Sequence, residues 1–245
     1  SEFGARFWAA MAGLGLVLVS AAAGRRWYDE TTGLLAGAIV ATNFGYFYMA
    51  RMALPDLPLT FCITLATWAG MVSTLESERS PRTFVMLAAI GLGAGFLMKG
   101  PVGVVIPLLV LLPILMIERR SIALTPIDLV LGFVLMIAIA MPWYVVMWLT
   151  HGNEYLQSFF VGDNLERFTT ERFNESRPLW FYLPILAGGL LPWSAFGLVL
   201  AVQDQFEARG HRLASESDGQ HDAGNSATDG TQMKHGFRAG WIRKV

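Results

Sequence analysis

The chain has 245 residues, of which 54% are hydrophobic and only 15% charged, with a formal net charge of -1. Its apolar residues run in uninterrupted blocks, whereas a soluble domain of this length would space them amphipathically, so the composition predicts an integral membrane protein and excludes an ordinary soluble one. The near-zero net charge identifies no partner and nothing points to nucleic acid; the single cysteine, Cys62, excludes a disulfide framework or a cysteine metal site.

A helix needs about 20 apolar residues to cross about 30 Å of hydrocarbon. Seven blocks approach that length, near 6–24, 31–49, 57–75, 83–98, 101–117, 127–149 and 181–202. The fold class that follows is an all-α polytopic transmembrane bundle of about seven spans, with an outer-face interfacial helix or loop. The chain opens on SEFGARFW, already entering a helix and without a signal-peptide pattern. Cys62 falls inside the third block and reads as a small core residue. Gly33/Gly37 in the second and Gly91/Gly95 in the fourth have the GxxxG spacing of close helix packing, and neither leaves a strand for a phosphate loop.

The fourth and fifth blocks are separated only by MKGPVG. Lys99 is the one charge between Thr83 and Ile117. A lysine at the bilayer centre costs on the order of 3 kcal/mol by insertion scales, so Lys99 belongs at a membrane surface, in the turn of a helical hairpin. Gly100 supplies the backbone angles of a sharp turn and Pro101 starts the next helix. A long cationic side chain can also reach the interface simply by snorkelling.

Loop charge sets the expected orientation. Arg25, Arg26, Arg79, Arg82, Arg119 and Arg120 lie in the loops 24–30, 76–82 and 118–126 and are expected to face the cytoplasm. Arg51, Asp56, Lys99 and the segment 150–180 then face outward, although Arg167, Arg172 and Arg177 add positive charge there. Arg51 and Asp56 flank a turn stiffened by Pro55 and Pro58, and acid and base at such a mouth also read as a structural pair. Tyr155, Phe159 and Phe160 have the spacing of a helix lying in the interface plane. Trp143, Tyr144, Trp148, Trp180 and Tyr182 fit an aromatic belt.

From about Gln203 the chain turns polar and rich in Gly, Ser and Asp, a composition expected to be disordered. Residues 1–202 are therefore the expected membrane domain and 203–245 a tail. His211, His221 and His235 are scattered through that tail without metal-ligand spacing. Asn174-Glu175-Ser176 matches a glycosylation sequon, a pattern short enough to arise by chance.

The ordered strings RMALPDLPLTF, LGAGFLMKGPVGVVIPLL, MPWYVV, NLERF and PLWFYLPILAGGLLPW resemble the polyprenyl-phosphate-dependent membrane glycosyltransferases of the GT-C type. That family includes the protein O-mannosyltransferases and, closer to these strings, the lipid A aminoarabinose transferases. The resemblance covers nearly all of 1–202. It implies an inverting transfer of a hexosyl or pentosyl group from a polyprenyl monophosphate carrier to an acceptor on the outer face of a bacterial inner membrane. It also implies that Lys99 and Arg167 bind the lipid phosphate and that Asp56 is the carboxylate lining the active-site cavity. Arg51, Glu166 and Arg172 are further candidates. By the same resemblance, the family's first helix and the outer loop with its main catalytic carboxylate precede the start of this chain, so this chain alone is not expected to catalyse transfer. No cofactor is implied, and no His or carboxylate cluster argues for a divalent metal. A transporter or flippase for an anionic lipid is the competing reading; it would place its charges and broken helices near the midplane of repeated halves.

Overall fold

A computed structural model describes residues 2–52, 54–75, 81–118, 124–165 and 178–206. Every regular element among them is helical. The first compact unit ends at Ser194. Its elements are α1 (Glu2–Trp27), α2 (Glu30–Ala41), α3 (Phe44–Ala50), α4 (Asp56–Leu75), α5 (Pro81–Lys99), α6 (Val102–Glu118) and α7 (Pro126–Gln157). A π-helical stretch, Ser158–Leu165, a 3₁₀ turn, Leu179–Phe181, and α8 (Tyr182–Gly189) follow. The second unit begins at Ala195 and is described only to 206, within the helix Trp193–Phe206. The polar tail and the segment 166–177, with Glu166, Arg167, Arg172 and the sequon, lie outside the described residues.

The packing inverts the pattern of a soluble protein. Many of the buried positions are small, among them Cys62, Ala66, Ala69, Ala89 and Ala140, while Leu14, Leu18, Leu109, Leu112, Met116 and Phe133 are exposed. Such an exterior suits hydrocarbon, and helices in lipid pack through small residues that let backbones approach. Both GxxxG pairs serve this purpose. A Cβ on Gly91 would lie 2.8 Å from the Cys62 carbonyl oxygen on α4, and one on Gly33 would lie 2.7 Å from the Ala21 oxygen on α1. Gly24 of α1 reciprocates, since a Cβ there would lie 2.9 Å from the Gly33 Cα. The α1–α2 turn is fixed by Asp29, whose carboxylate accepts the Thr32 N–H at 2.6 Å as an N-cap. That bond holds the Asp29 carboxyl below its ordinary pKa.

Each of the seven expected blocks is helical, but two are interrupted. The second is split into α2 and α3, bent by 60°. Thr42 closes α2 and Asn43 caps α3, accepting the Tyr46 N–H at 3.3 Å. The seventh is interrupted at Leu190–Pro192, where the Leu191–Pro192 bond is cis. The two breaks meet: the Phe44 N–H donates to the Leu191 carbonyl at 2.8 Å and the Trp193 indole N–H to the Thr42 hydroxyl at 2.9 Å. Gly45 allows the contact, since a Cβ there would lie 2.9 Å from the Gly189 oxygen. Backbone freed by a break in a membrane span must find partners within the protein, and here the Phe44 N–H and the Leu191 carbonyl satisfy each other across the two breaks. Among the described residues four helices are long and apolar enough to span alone, up to six spans result if each broken pair counts once, and α6 is a shorter apolar helix.

α7 begins with a capping box. The Thr125 hydroxyl and Asp128 carboxylate exchange bonds with each other's backbone, and Pro126 occupies the first turn. Asp128, 4% exposed, also accepts from Arg82 Nε at 2.9 Å, which ties the start of α7 to the start of α5. At its far end α7 kinks at Gly152, whose φ of 65° suits glycine.

Candidate active site

The helix order dictates where charge gathers. α4 and α5 pack extensively on each other and run antiparallel, so the first residue of α4, Asp56, lies beside the last residue of α5, Lys99. The carboxylate therefore sits at a helix N-terminus and the ammonium at a C-terminus, the polarity that helix dipoles favour. Lys99 Nζ donates to Asp56 Oδ1 at 2.7 Å. The side chains keep 38% and 47% of their accessible surface, respectively.

Lys99 occupies the hairpin turn expected of it. Gly100 has φ 62°, and α6 starts at Val102. The Phe96 carbonyl accepts both the Gly100 N–H at 2.7 Å and the Tyr144 hydroxyl at 3.0 Å. Tyr144 thus ties the C-terminal turn of α5 to α7 and fixes the base from which Lys99 projects. It is 5% exposed, which corrects its reading as a belt aromatic: its hydroxyl has a protein partner and its ring is enclosed. Trp143, Trp148, Trp180 and Tyr182 are exposed, as belt residues must be.

The segment after Gly152 also differs from a helix lying free in the interface. Its aromatics turn inward, with the Phe160 ring centroid 5.4 Å from Tyr144 and 6.1 Å from Phe96, and Phe159 5.5 Å from Tyr144. Trp143 donates its indole N–H to the Tyr155 hydroxyl at 3.2 Å, and Trp148 donates to Asn153 at 3.0 Å. Ring packing outweighs interfacial anchoring because the Gly152 kink folds the segment back onto the ends of α5 and α7.

Arg51 and Asp56 are close in sequence, but the acid's partner is Lys99. Arg51 caps the C-terminus of α3 and lies back over the Phe47 ring, 4.5 Å from its centroid, a cation–π contact. A cavity of about 370 Å³ opens beside Asp56, bounded by α1, the α2–α3 break and α4. Most of its wall is apolar, from Leu16, Val40, Met49 and Leu57, with Asn43, Tyr46, Asp56 and Thr60 as the polar positions. Sequence reasoning missed Asn43 and the break it caps, although a Thr-Asn pair inside an apolar block is an N-cap signal. Among the described residues no group of three or more His, Cys, Asp or Glu is placed to hold a metal ion.

An all-helical bundle with an apolar exterior, many small buried residues and an ammonium–carboxylate pair at one end beside a cavity defines a polytopic membrane protein with a charged site at one end of the bundle. The chain belongs to the dolichyl-phosphate-mannose-protein mannosyltransferase family, which it matches over residues 1–156. It is 33% identical over 199 residues to an undecaprenyl phosphate-alpha-4-amino-4-deoxy-L-arabinose arabinosyl transferase of Pseudomonas aeruginosa strain LESB58, a match covering 78% of this chain and 35% of that protein. Proteins of the same name are 31% identical over 202 residues in Pseudomonas fluorescens Pf-5 (79% of this chain, 33% of the relative) and 25% identical over 169 residues in Photorhabdus laumondii (68% and 30%). The chain spans about a third of the length of the curated relatives it matches. No solved structure matches it.

Proposed function

We propose that the protein is a membrane glycosyltransferase that moves a sugar from a polyprenyl-phosphate carrier to an acceptor at the outer face of a bacterial inner membrane. The observation that carries this reading is the Asp56–Lys99 pair beside the cavity, in a chain of this family. The donor's anomeric carbon is attacked by an acceptor oxygen. The bond to the phosphate breaks, and the carrier phosphate leaves with its electron pair. The acceptor's proton passes to a general base.

Charge builds on the leaving phosphate as its bond to the sugar breaks. A fixed cation there stabilises the transition state more than the ground state. In this reading Lys99 is that cation, at the end of the bundle where the lipid phosphate would lie, and Asp56 lines the adjoining cavity where sugar and acceptor would meet. Arg167, in the segment 166–177, is proposed as the second phosphate contact, with Arg51, Glu166 and Arg172 as further candidate site residues. The domain division at 203 belongs to the same proposal. Orientation rests on the arginines at the opposite end, Arg25, Arg26 and Arg82 among the described residues, which the positive-inside rule assigns to the cytoplasm.

The test is to reconstitute the full-length gene product in proteoliposomes with a radiolabelled polyprenyl-phosphate sugar and an extract of outer-leaflet acceptors. The expected result is labelled acceptor together with released polyprenyl phosphate. Movement of intact lipid-linked sugar between leaflets without cleavage would identify a flippase and reject the transferase.

A further inference from the structure

Lys99, the proposed phosphate contact, is already occupied. Its ammonium bonds the Asp56 carboxylate at 2.7 Å, and that carboxylate lines the cavity. We infer that Asp56 is a placeholder for the carrier's phosphate: the phosphate binds by displacing the carboxylate from Lys99 Nζ, and the freed carboxylate turns into the cavity. The inference rests on the reading of Lys99 as the phosphate contact and adds a competitor to it.

Several observations make the exchange physically reasonable. The pair keeps more than a third of each side chain exposed, so an incoming anion can reach Nζ without unpacking a helix. Exposed ion pairs are weak, typically worth less than about 1 kcal/mol, and therefore displaceable. The ammonium has three N–H donors, of which Asp56 engages one. Each group sits at the helix end whose dipole favours its charge, so separating the pair leaves each in a favourable field. The space that would receive the carboxylate presents Asn43, Tyr46 and Thr60. Arg51, the next cation in that turn, is held over Phe47. Phosphate and Asp56 therefore compete for the Lys99 ammonium, and if both remained beside it their charges would repel.

Competition reduces apparent affinity by the fraction of sites in which Lys99 is free. An exposed pair of ordinary strength implies that removing the carboxylate tightens carrier binding about two- to fivefold. A purely structural pair predicts the opposite sign, because breaking it disorders the turn that carries Lys99.

The experiment measures binding of radiolabelled undecaprenyl phosphate to the full-length gene product in phosphatidylcholine nanodiscs, at matched folded amounts, for the wild type, Asp56→Asn, Asp56→Glu and Lys99→Ala. Undecaprenol and inorganic phosphate are the comparison ligands. The expected result is two- to fivefold tighter binding of undecaprenyl phosphate by Asp56→Asn, wild-type affinity for Asp56→Glu, weaker binding by Lys99→Ala, and no change for undecaprenol. Should Asp56→Asn fail to fold, Asp56→Ser makes the same charge change. Equal or weaker binding by the neutral variants, with Lys99→Ala still weak, overturns the placeholder while leaving the phosphate reading intact. Wild-type affinity in Lys99→Ala overturns the phosphate reading and the placeholder with it. Displacement of the carrier by millimolar inorganic phosphate makes the ligand a free anion and overturns the proposal for a lipid.

Discussion

Replacing Lys99 by alanine is expected to lower carrier-dependent sugar transfer by the full-length gene product more than tenfold. The substitution removes a charge-assisted contact to the phosphate, worth on the order of 1.5 to 3 kcal/mol, and about 1.4 kcal/mol is a factor of ten. It also leaves Asp56 without its cation. Lys99→Arg is expected to recover part of the rate, because it keeps the charge but presents a planar fork in place of a compact ammonium. The measurement is transfer rate against carrier concentration at matched folded amounts. A snorkelling lysine would give a different pattern: alanine would change the rate little at any carrier concentration, and the phosphate role would be lost.

Gly103→Val is expected to prevent the α5–α6 hairpin from closing. A Cβ at 103 would collide with the Gly95 carbonyl group and lie 2.7 Å from the Phe96 N. These are backbone atoms of a packed helix and cannot rotate away. Overpacking of this kind costs about 1–3 kcal/mol and occasionally more, a large share of a stability of about 5–15 kcal/mol. The clash also lies two turns or less from Lys99, so the site suffers with the fold. Gly188 provides the contrast, since a Cβ there meets nothing within 4 Å, and Gly188→Ala is expected to be neutral. Thermal unfolding in detergent should separate the two variants clearly; equal stability would mean that α5 and α6 do not approach at these glycines.

Much of the architecture is legible in the sequence because lipid as a solvent imposes long apolar blocks, and all seven blocks are helical. Lys99 was placed correctly in a hairpin turn because an isolated charge and a Gly-Pro step leave few alternatives. Its partner was not legible. Asp56 is 43 residues away, and the contact follows from α4 and α5 packing antiparallel, which sequence spacing alone does not encode. Arg51 was nearer in sequence, and so the more obvious partner, yet it lies over Phe47. The breaks in the second and seventh blocks were hidden for a related reason. Thr42 bonds Trp193 and Phe44 bonds Leu191 across about 150 residues, a pairing that the local N-cap signal at Asn43 does not reveal. Tyr144 resembled its belt neighbours Trp143 and Trp148 until the α7 kink brought Phe159 and Phe160 against it.

The central claim is that the carrier's phosphate sits at the Asp56–Lys99 end of the bundle. The most direct measurement is a cryo-EM structure of the full-length gene product with undecaprenyl phosphate bound. The account predicts phosphate oxygens at charge-assisted hydrogen-bond distance, about 2.7–2.9 Å, from Lys99 Nζ, with the Asp56 carboxylate withdrawn into the cavity. A phosphate resolved at the opposite end of the bundle, near Arg25, Arg26 or Arg82, with Lys99 still bonded to Asp56, would contradict it.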